Sequence, residues 1–583
     1  MTWFRMKAKR THEIAPDEIF LDSSNLPSHN KRQFEGRVER PVSVGAIWGV
    51  GITFALAVLA FSMQAYSLQI TQGARYTDIS RNNRLNRTLV FAARGVIYDR
   101  NGLELAWNES LPASCGGTCG RPASSSDYSV NSATSSFALR KYSPLSGLSH
   151  IIGFVRYPKS DAKGNWWREE YLGISGVELA YDAQLRGQNG STMIETDARG
   201  RTLREDIIAP PQSGSDITLS IDAEVENQLY KFLSAHAARN RFKGGASVIM
   251  DVRTGEILAM ASFPEYDHTA FTEGNTKVVR SALNDPRTPM LNRAVAGVYT
   301  PGSIVKPIFA SAALNEGIIS PDKQILSTGA ISIPNPYDKT KPSIFRDWAV
   351  HGLVDMRMAL AVSSDEYFYT IGGGYGTQPG LGINRLDEYA RRFGLGTSTG
   401  IVILGEEAGV IPTPEWKARI FGADDPWRIG NTYHTAIGQY GFQLTPLQAV
   451  RFAAAIANGG KLMKPQLLAS STPEYISVGI PDPYLQVVRE GMRLAVTSTK
   501  EDATVKYLNL NGIHMAGKTG TAQLGVQNES MNAWFIGFWP AENPKFAVAT
   551  VLENAPAGTL SGAGPAMLPF FQWLIANKPE YVN

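Results

Sequence analysis

The chemistry of this chain is indicated by a serine and a lysine in the segment T-P-G-S-I-V-K-P, residues 300–307. A serine hydroxyl becomes a useful nucleophile only when a base takes its proton. Thr300 can cap a helix and Pro301 suits its first position, which places Ser303 where free backbone N–H groups stabilise negative charge. Lys306 follows one helical turn later on the same face. This pattern predicts acyl transfer through Ser303, with Lys306 as the base.

Two further segments would complete such a site, and the first is S-S-D at residues 363–365. Ser363 can relay a proton between Lys306 and a leaving group. An ionised Asp365 beside Lys306 would oppose the role of the lysine as a base, because a negative charge stabilises the protonated amine. We therefore expect Asp365 either to be hydrogen-bonded away from Lys306 or to be protonated.

The second segment is K-T-G-T, which begins at Lys518 on a predicted strand. Lys518 would supply a second cation, and a second cation favours the neutral form of a neighbouring lysine. Thr519 and Thr521 offer hydroxyls to a substrate carboxylate, and Gly520 would let a ligand approach the backbone closely. The backbone N–H groups of Ser303 and Thr521 are candidates for an oxyanion hole.

Order and context make this set of motifs specific. S-x-x-K also occurs at residues 160–163 and S-S-D at residues 125–127, where both are predicted to be solvated loops. The other three segments fall in one region in the order S-x-x-K, S-x-D and K-T-G. The first opens a predicted helix and the last lies on a predicted strand. This ordered set is typical of β-lactamases and penicillin-binding proteins.

The elements that position this site follow a hydrophobic segment. Positions 41–74 hold no charged residue, and V-G-A-I-W-G-V-G-I-T-F-A-L-A-V-L-A-F-S-M supplies the roughly 20 apolar residues that cross a bilayer. We predict a transmembrane anchor at 41–70 after a cytoplasmic tail at 1–40. Eight Lys and Arg residues in the tail favour an internal N-terminus, against four Arg residues that closely follow the anchor. The predicted chemistry requires the C-terminal part to lie outside.

The rest of the chain divides into two predicted domains. Residues 71–212 are predicted to form a strand-rich, non-catalytic module with an exposed loop at 112–136 and a boundary in P-P-Q-S-G-S. Residues 213–583 begin and end with hairpins and have helices between them. This pattern predicts an α/β sandwich whose sheet is completed by the C-terminal strands. Asp222 is placed to cap a helix that runs to about Ala238.

The composition is that of an ordinary globular protein. Of 583 residues, 43% are hydrophobic and 19% are charged, and a net charge of +3 gives no reason to expect a nucleic-acid partner. Cys115 and Cys119 are too closely spaced for a four-ligand zinc site. They are compatible with a small disulfide or with two free thiols, and neither option gives them a catalytic role.

Nearly everything after the anchor resembles the class B penicillin-binding proteins. The segment R-G-V-I-Y-D-R-N-G at 94–102 is similar to the first signature of their pedestal (dimerisation-type) domain, and G-I-S-G-V-E-L-A-Y-D at 173–182 is similar to a second. D-V-R-T-G-E-I-L-A-M-A-S at 251–262 resembles the entry into their transpeptidase domain. A-I-G-Q-Y-G-F-Q-L-T-P at 436–446 is similar to a segment that lines their active site. The resemblance implies an α/β (α+β) fold of the penicillin-binding and serine β-lactamase type.

The resemblance also implies D-Ala-D-Ala transpeptidation in peptidoglycan. Ser303 would form an acyl-enzyme with one stem peptide and release D-Ala, and an amine on a second strand would resolve it. Penicillins and other β-lactams would acylate the same serine. Residues 71–212 show no glycosyltransferase signature, and class B members typically work beside a membrane glycosyltransferase of the SEDS family. The implied location is the cytoplasmic membrane, with the catalytic domain in the periplasm or outside.

Asp365 departs from the commoner Asn at its position and is similar to the elongation, or penicillin-binding protein 2, subgroup. This similarity favours wall elongation over division. Some members of that subgroup hold zinc near this loop, and Asp347 and His351 lie in a similar place. Ser364 stands where a cysteine ligand would be needed, so we expect no metal and no other cofactor.

Other functions share these motifs. A β-lactamase uses the first and third segments but hydrolyses its acyl-enzyme, and it rarely carries an anchor and a pedestal of this length. A catalytically weak scaffold or β-lactam sensor would keep the serine and act through partners. Within the family, a division-type transpeptidase is the alternative.

Overall fold

The computed structural model describes residues 43–82, 85–109, 137–162, 165–196, 202–335, 338 and 340–582. The predicted cytoplasmic tail, the predicted loop at 112–136 and both cysteines lie outside the described residues. The chain divides into two compact units, with the boundary between Leu85 and Asn86.

The N-terminal unit contains a long apolar helix. The α-helix Val44–Tyr66 continues into a π-helical turn, Ser67–Thr71, and a second helix, Gly73–Asn82, follows. The 28 residues of Val44–Thr71 extend over about 42 Å, which exceeds the ~30 Å hydrocarbon core of a bilayer. None of the side chains of Val44–Tyr66 is buried in protein. The predicted anchor is therefore a helix that is long and apolar enough to span a membrane.

The pedestal, taken here as the described residues of 86–212, is built from short strands. One sheet has the order Leu85–Val90, Gly190–Thr196 and Thr202–Ala209. A second has the order Ile217–Thr218, Ile97–Tyr98, Glu104–Glu109 and Leu139–Tyr142, and its first strand comes from the C-terminal domain. Two small pairs join Val155–Arg156 to Leu172–Gly173 and Lys159–Ser160 to Trp166–Arg168. The short helices are Ser149–Ile152, Gly176–Ala180 and Asp182–Leu185.

Buried ion pairs join the two pedestal signatures. Arg94 of the first signature contacts Glu178 at 2.6 Å and Asp182 at 2.8 Å, both in the second signature. Arg140 contacts the other carboxylate oxygen of Glu178 at 2.8 Å. Removing one partner of a buried pair leaves an uncompensated charge, at a cost of about 3–5 kcal/mol. These contacts fix the two signature segments against each other.

The first signature also contacts the C-terminal domain. Asp99 Oδ1 accepts hydrogen bonds from the N–H groups of Asn101 and Leu103, both at 2.8 Å, which closes the D-R-N-G turn. Asp99 Oδ2 accepts a bond from the N–H of Ala223 at 3.2 Å, and the Asn101 side chain donates to Asp222 at 3.0 Å. The turn is therefore bonded to the start of the first helix of the C-terminal domain.

A five-stranded antiparallel sheet lies at the centre of the C-terminal domain. Its order is Ile257–Phe263, Gly244–Asp251, Phe546–Pro556, Ser530–Trp539 and Ala516–Leu524. The last of these, called the edge strand below, carries K-T-G-T. The prediction that hairpins from both ends of the domain share one sheet is confirmed.

Helices cover both faces of this sheet. Alternate side chains of a strand point to opposite faces, so Trp534 and Ile536 pack in one apolar cluster and Phe535 packs in the other. The first cluster includes Lys306–Asn315 and the fully buried helix Pro446–Ala457. The second includes Ala223–Arg239 and Ala563–Asn577.

The predicted cap at Asp222 is confirmed, because its carboxylate accepts hydrogen bonds from the N–H groups of Glu224 and Val225. The other helices of the domain are His268–Glu273, Thr276–Asn284, Met356–Ala361, Asp365–Gly373, Gly382–Arg392, Pro414–Phe421, Ile429–Ala436 and Asp482–Thr497. Its small strand pairs are Ile325–Ser327 with Gly352–Val354, Ala330–Ile333 with Ser343–Arg346, and Lys461–Met463 with Tyr475–Ser477.

Candidate active site

The candidate nucleophile lies in a tight helical turn. Gly302–Val305 forms a 3₁₀-helix, called the serine turn below, and the α-helix Lys306–Asn315 follows directly. The N–H of Lys306 donates to the carbonyl of Ser303. Pro307 has no N–H with which to make the α-helical bond to that carbonyl, which explains why this turn closes in the 3₁₀ manner.

A hydrogen bond from the central sheet fixes the segment just before the serine turn. The indole Nε1 of Trp534 donates to the carbonyl of Thr300 at 2.9 Å, and Trp534 lies opposite Gly520 in the strand register. The prediction that Thr300 caps an α-helix with Pro301 at its first position is wrong, because Pro301 itself occupies the position before the 3₁₀-helix. The side chain of Trp534 thus links the strand that pairs with K-T-G-T to the segment before Ser303.

Three glycines allow close backbone contact around the serine turn. Gly302 has φ +58°, and its N–H donates to the carbonyl of Gly438 at 2.9 Å. A Cβ on Gly438 would lie 2.2 Å from the carbonyl oxygen of Gly302, and a Cβ on Gly302 would lie 2.7 Å from that of Thr521. A Cβ on Gly520 would lie 2.7 Å from the carbonyl oxygen of Pro301. The sequence predicts that Gly520 admits a ligand, but the serine turn fills that space.

The amine of Lys306 is fully buried and contacts the S-S-D turn, residues 363–365. It donates to the Ser363 carbonyl at 2.7 Å, to Ser363 Oγ at 3.3 Å and to Asp365 Oδ1 at 2.6 Å. Of the two predicted alternatives, the one in which Asp365 is hydrogen-bonded away from Lys306 is therefore wrong, and the one in which it is protonated stays a prediction. The backbone explains the contact, because Ser363 adopts the left-handed region, with φ +58°, and turns its carbonyl and the following carboxylate toward one amine.

Lys518 is also buried, and its amine donates to the carbonyl of Thr519 at 2.9 Å. Burial and the charge of Lys306 lower the pKa of Lys518 well below its ordinary value, although Asp365 acts in the opposite direction. The sequence predicts a second cation at Lys518, whereas its surroundings favour the neutral amine.

The predicted site residues form an inner and an outer layer. Lys306, Ser363 and Lys518 are buried. Ser303 and Thr519 are half-buried, Thr521 is exposed, and Gly520 is covered by the serine turn. No described residue is hydrogen-bonded to Ser303 Oγ. The outer layer is accessible to a substrate, and the inner layer holds the groups that can exchange protons.

A buried ion cluster supports the S-S-D turn. Asp347 Oδ2 accepts hydrogen bonds from Ser364 Oγ at 2.8 Å and from the N–H of Glu366 at 2.9 Å. His351 lies between two carboxylates, with Nε2 3.5 Å from Asp347 Oδ1 and Nδ1 2.6 Å from Asp502 Oδ2. Sequence reasoning names Asp347 and His351 but misses Asp502, which lies 151 positions from His351.

The ion cluster favours charged side chains. Burial alone would raise the pKa of Asp347, but the nearby His351, the hydrogen bond from the Glu366 N–H and the charge of Lys306 lower it to about 2. Burial disfavours a charged His351, yet the neighbouring carboxylates of Asp347 and Asp502 raise its pKa above the ordinary value. Nδ1 of the imidazole is hydrogen-bonded to Asp502, and Nε2 faces Asp347 at 3.5 Å without a hydrogen bond.

These residues do not fit a structural zinc site. Asp347 Oδ2 and His351 Nδ1 are already hydrogen-bonded. Only Asp347 Oδ1 and His351 Nε2 are therefore left as possible ligands from these two side chains. Ser364 offers a hydroxyl where a thiolate would be needed, and structural zinc takes four Cys, His or carboxylate ligands. Across the described ranges, no group of three or more His, Cys, Asp or Glu side chains is arranged to hold a metal ion.

The fold and the convergence of the three motifs define a class, the serine acyl-transferases that react with penicillin. Residues 245–572 match the penicillin-binding protein transpeptidase domain, and residues 130–219 match the penicillin-binding protein dimerisation domain. The chain is 30% identical to the peptidoglycan D,D-transpeptidase MrdA of Escherichia coli (strain K12), over 89% of this chain and 91% of that protein.

Solved structures give the same assignment. The penicillin-binding protein PBP2 of Helicobacter pylori, in its complex with MreC, has a TM-score of 0.68 at 25% identity and covers 85% of this chain and 99% of that one. A chain of a peptidoglycan synthase complex that coordinates polymerization and crosslinking has a TM-score of 0.66 at 27% identity, over 91% and 98% of the two chains. This chain belongs to the penicillin-binding protein family, in the group of penicillin-binding protein 2, and is a membrane-anchored serine acyl-transferase.

Proposed function

We propose that this chain is a peptidoglycan D,D-transpeptidase of cell elongation that acts on stem peptides ending in D-Ala-D-Ala. The observation that carries the proposal is the contact of one buried amine, Lys306 Nζ, with Ser363 and Asp365 directly behind the serine turn. The identity to MrdA supports the elongation role over a division role.

In the proposed acylation step, Ser303 Oγ attacks the carbonyl carbon of the penultimate D-Ala. The C–N bond to the last D-Ala breaks after a tetrahedral intermediate, and D-Ala leaves with the proton that the serine lost. The N–H groups of Ser303 and Thr521 stabilise the oxyanion of that intermediate. The proton passes through Lys306 and Ser363 Oγ, which lie 3.3 Å apart.

Lys306 must be neutral before it accepts the serine proton. In the resting site it is ion-paired to Asp365, with a nitrogen–oxygen distance of 2.6 Å. A bound stem peptide excludes water from this pair and makes the separated charges less favourable. One proton then moves from the amine to the carboxylate, which leaves a neutral lysine and a neutral aspartic acid without exchange with solvent.

Substrate binding is assigned to the edge strand. Among the described strands it has one neighbour in its sheet, so its other edge can pair with the backbone of an extended peptide. The hydroxyls of Thr519 and Thr521 bind the terminal carboxylate of the stem peptide. The same contacts orient the carboxylate of a β-lactam, whose ring is opened by Ser303.

The second half-reaction is attack by an amine of a neighbouring stem peptide on the acyl-enzyme. The ester bond to Ser303 breaks, a new amide forms, and the amine proton returns to the serine through the same groups. Because growing glycan strands lie outside the membrane, the N-terminus is placed in the cytoplasm and the catalytic domain beyond the cytoplasmic membrane. The domain division of this proposal is 1–40, 41–70, 71–212 and 213–583.

A membrane glycosyltransferase of the SEDS family is the proposed partner. The pedestal supplies no glycosyltransferase motif, and a structural relative forms part of a synthase complex that joins polymerization to crosslinking. Polymerization and crosslinking must act on the same strand, which favours a lasting contact between the two enzymes.

The deciding experiment is labelling of the full-length, detergent-solubilised protein with a fluorescent penicillin, followed by peptide mapping. The label is expected on Ser303 with a half-life of hours. A label on any residue outside 300–307 would contradict the assignment of the nucleophile. Release of the label within seconds would instead indicate a β-lactamase. Incubation with lipid-linked peptidoglycan strands, with and without a SEDS glycosyltransferase, then tests whether crosslinked dimers form.

A further inference from the structure

The ion cluster of Asp347, His351 and Asp502 has no role in the proposed acyl transfer, yet it is hydrogen-bonded to the S-S-D turn that contacts Lys306. The side chains of His351 and Asp347 are fully buried, and that of Asp502 is 22% exposed. Charged groups are costly to bury even when they are paired. A cluster of three charges next to a catalytic turn therefore calls for a functional reason.

The cluster holds the turn through two bonds from one oxygen. Asp347 Oδ2 binds Ser364 Oγ and the N–H of Glu366, the residues on either side of Asp365. Ser364 Oγ also accepts a hydrogen bond from the N–H of Tyr367 and so caps the helix Asp365–Gly373. A shift of the Asp347 carboxylate would therefore move the backbone on both sides of Asp365.

The turn needs such support because its backbone is strained. Ser363 has φ +58°, a region that residues other than glycine rarely adopt. Strained residues keep their conformation only where their surroundings over-determine it. The conformation of Ser363 sets the contacts of its carbonyl and hydroxyl with Lys306, at 2.7 and 3.3 Å.

Neighbouring segments restrain the same turn. The indole of Trp348 donates to the carbonyl of Val362 at 3.2 Å, and the N–H of Thr504 donates to the carbonyl of Ala361 at 3.3 Å. Lys500 Nζ donates to the carbonyl of His351 at 3.1 Å. The two segments that carry the cluster, 347–351 and 500–504, therefore contact the chain just before Ser363 and each other.

We propose that Asp347, oriented by His351 and Asp502, is a positioning residue that sets the Ser363 turn against Lys306. It contacts neither substrate nor nucleophile, and it acts through Ser364 and the N–H of Glu366. The inference rests on the proposed acyl transfer through Ser303. It predicts that loss of the cluster slows the chemical step and leaves recognition of the β-lactam unchanged.

The test measures acylation of the full-length protein by a fluorescent penicillin in stopped flow, which separates the dissociation constant of the first complex from the rate constant of acylation. For Asp347→Asn and His351→Gln we expect the rate constant to fall about tenfold or more, since a misplaced group costs this much in rate. The dissociation constant should change less than about twofold, because the cluster does not touch the ligand.

Milder variants keep the test decisive if these two fail to fold. Asp502→Asn is nearly isosteric at a partly exposed position, and about a threefold loss of the rate constant is expected there. Ser364→Ala should slow acylation, and Ser364→Thr, which keeps the hydroxyl, should restore it. The matched control is His514→Gln, an exposed histidine that is also paired with a carboxylate, that of Glu542 at 3.2 Å.

The outcomes separate this inference from the proposed function. If the parent protein is labelled at Ser303 and the folded Asp347, His351, Asp502 and Ser364 variants all acylate at the parent rate, the positioning role is overturned. An equal loss in the dissociation constant and the rate constant would also overturn it. If the parent protein is not labelled at Ser303, the proposed acyl transfer itself fails, whatever the variants do.

Discussion

The amine of Lys306 lies 2.6 Å from Oδ1 of Asp365, and this partly buried ion pair lies directly behind the serine turn. A carboxylate at this distance stabilises the protonated amine, the form that cannot take a proton from serine. Acyl transfer through this site therefore requires that Lys306 first lose its proton. In the proposed mechanism, transfer of the proton within the pair frees the lysine amine to accept the serine proton.

Asp365→Asn tests this dependence. Asparagine keeps a hydrogen bond to Lys306 but accepts no proton, so the lysine proton must leave to solvent. We expect acylation by a fluorescent penicillin, measured in stopped flow, to fall about tenfold or more relative to the parent protein. Asp206→Asn, at an exposed pedestal carboxylate, is the control. Acylation of Asp365→Asn at the parent rate would show that Asp365 takes no part in proton transfer.

Gly302→Ala tests the close contact between the serine turn and the edge strand. The new methyl group would lie 2.7 Å from the carbonyl oxygen of Thr521, at a position with φ +58°. Gly376→Ala is a matched control, because Gly376 has the same φ and no atom within 4 Å of its built Cβ. Both variants should lose about 1 kcal/mol of stability through backbone strain.

Only Gly302→Ala should also lose acylation, by about tenfold or more, because it separates Ser303 from Thr521. Stability is measured by thermal unfolding and acylation by labelling kinetics. If both glycine variants acylate at the parent rate, close contact between the serine turn and Thr521 is not required. If both lose acylation equally, the effect is one of general strain.

Local features of the site could be predicted from the sequence, and long-range ones could not. The cap at Asp222 and the strand at Lys518 depend on neighbours within a few positions, so spacing and alternation reveal them. The contact of Lys306 with Asp365 depends on a left-handed Ser363, which no side-chain pattern signals. Asp502 meets His351 across 151 positions, and only the fold brings them together.

The serine turn also combines local features that the sequence reveals with long-range contacts that it does not. Pro307 indicates that the helix is irregular beside Ser303, because the missing N–H lies within the motif. The sequence could not show that Pro301, and not Thr300, precedes the helical turn. The carbonyl of Thr300 accepts a hydrogen bond from Trp534, which lies on a distant strand. Gly438 lies in a segment whose resemblance to an active-site lining was visible, but its contact with Gly302 required the structure.

Trp534→Phe tests the tie between the sheet and the serine turn. It removes the indole donor to the Thr300 carbonyl and should cost about 1 kcal/mol of stability. Trp539→Phe is the control on the same strand, because its indole donates to the Tyr581 carbonyl at 2.7 Å, outside the three site motifs. Both variants should be destabilised in chemical denaturation. Acylation should slow by about threefold or more only in Trp534→Phe, and equal rates in the two variants would contradict a positioning role for Trp534.

The ion cluster predicts a pH-dependent contribution to stability. The pKa of His351 is raised in the folded protein, so its contribution is complete below the unfolded value of about 6.5 and is lost as pH rises through the folded value. The pKa of Asp347 is lowered to about 2, so its contribution is complete above its unfolded value of 3.8 and is lost as pH falls toward 2. Both contributions are therefore complete between about pH 4 and 6.5.

His351→Gln should lower the melting temperature most in that window, and the difference from the parent protein should shrink as pH rises above it. Glutamine still donates one hydrogen bond but carries no charge, so it loses the part of the interaction that titrates. The measurement is thermal unfolding of both proteins from pH 5 to pH 9, with the exposed His514→Gln as the control. A difference that stays constant over this range would mean that His351 stabilises the fold as a neutral side chain and that the charged cluster is not maintained in solution.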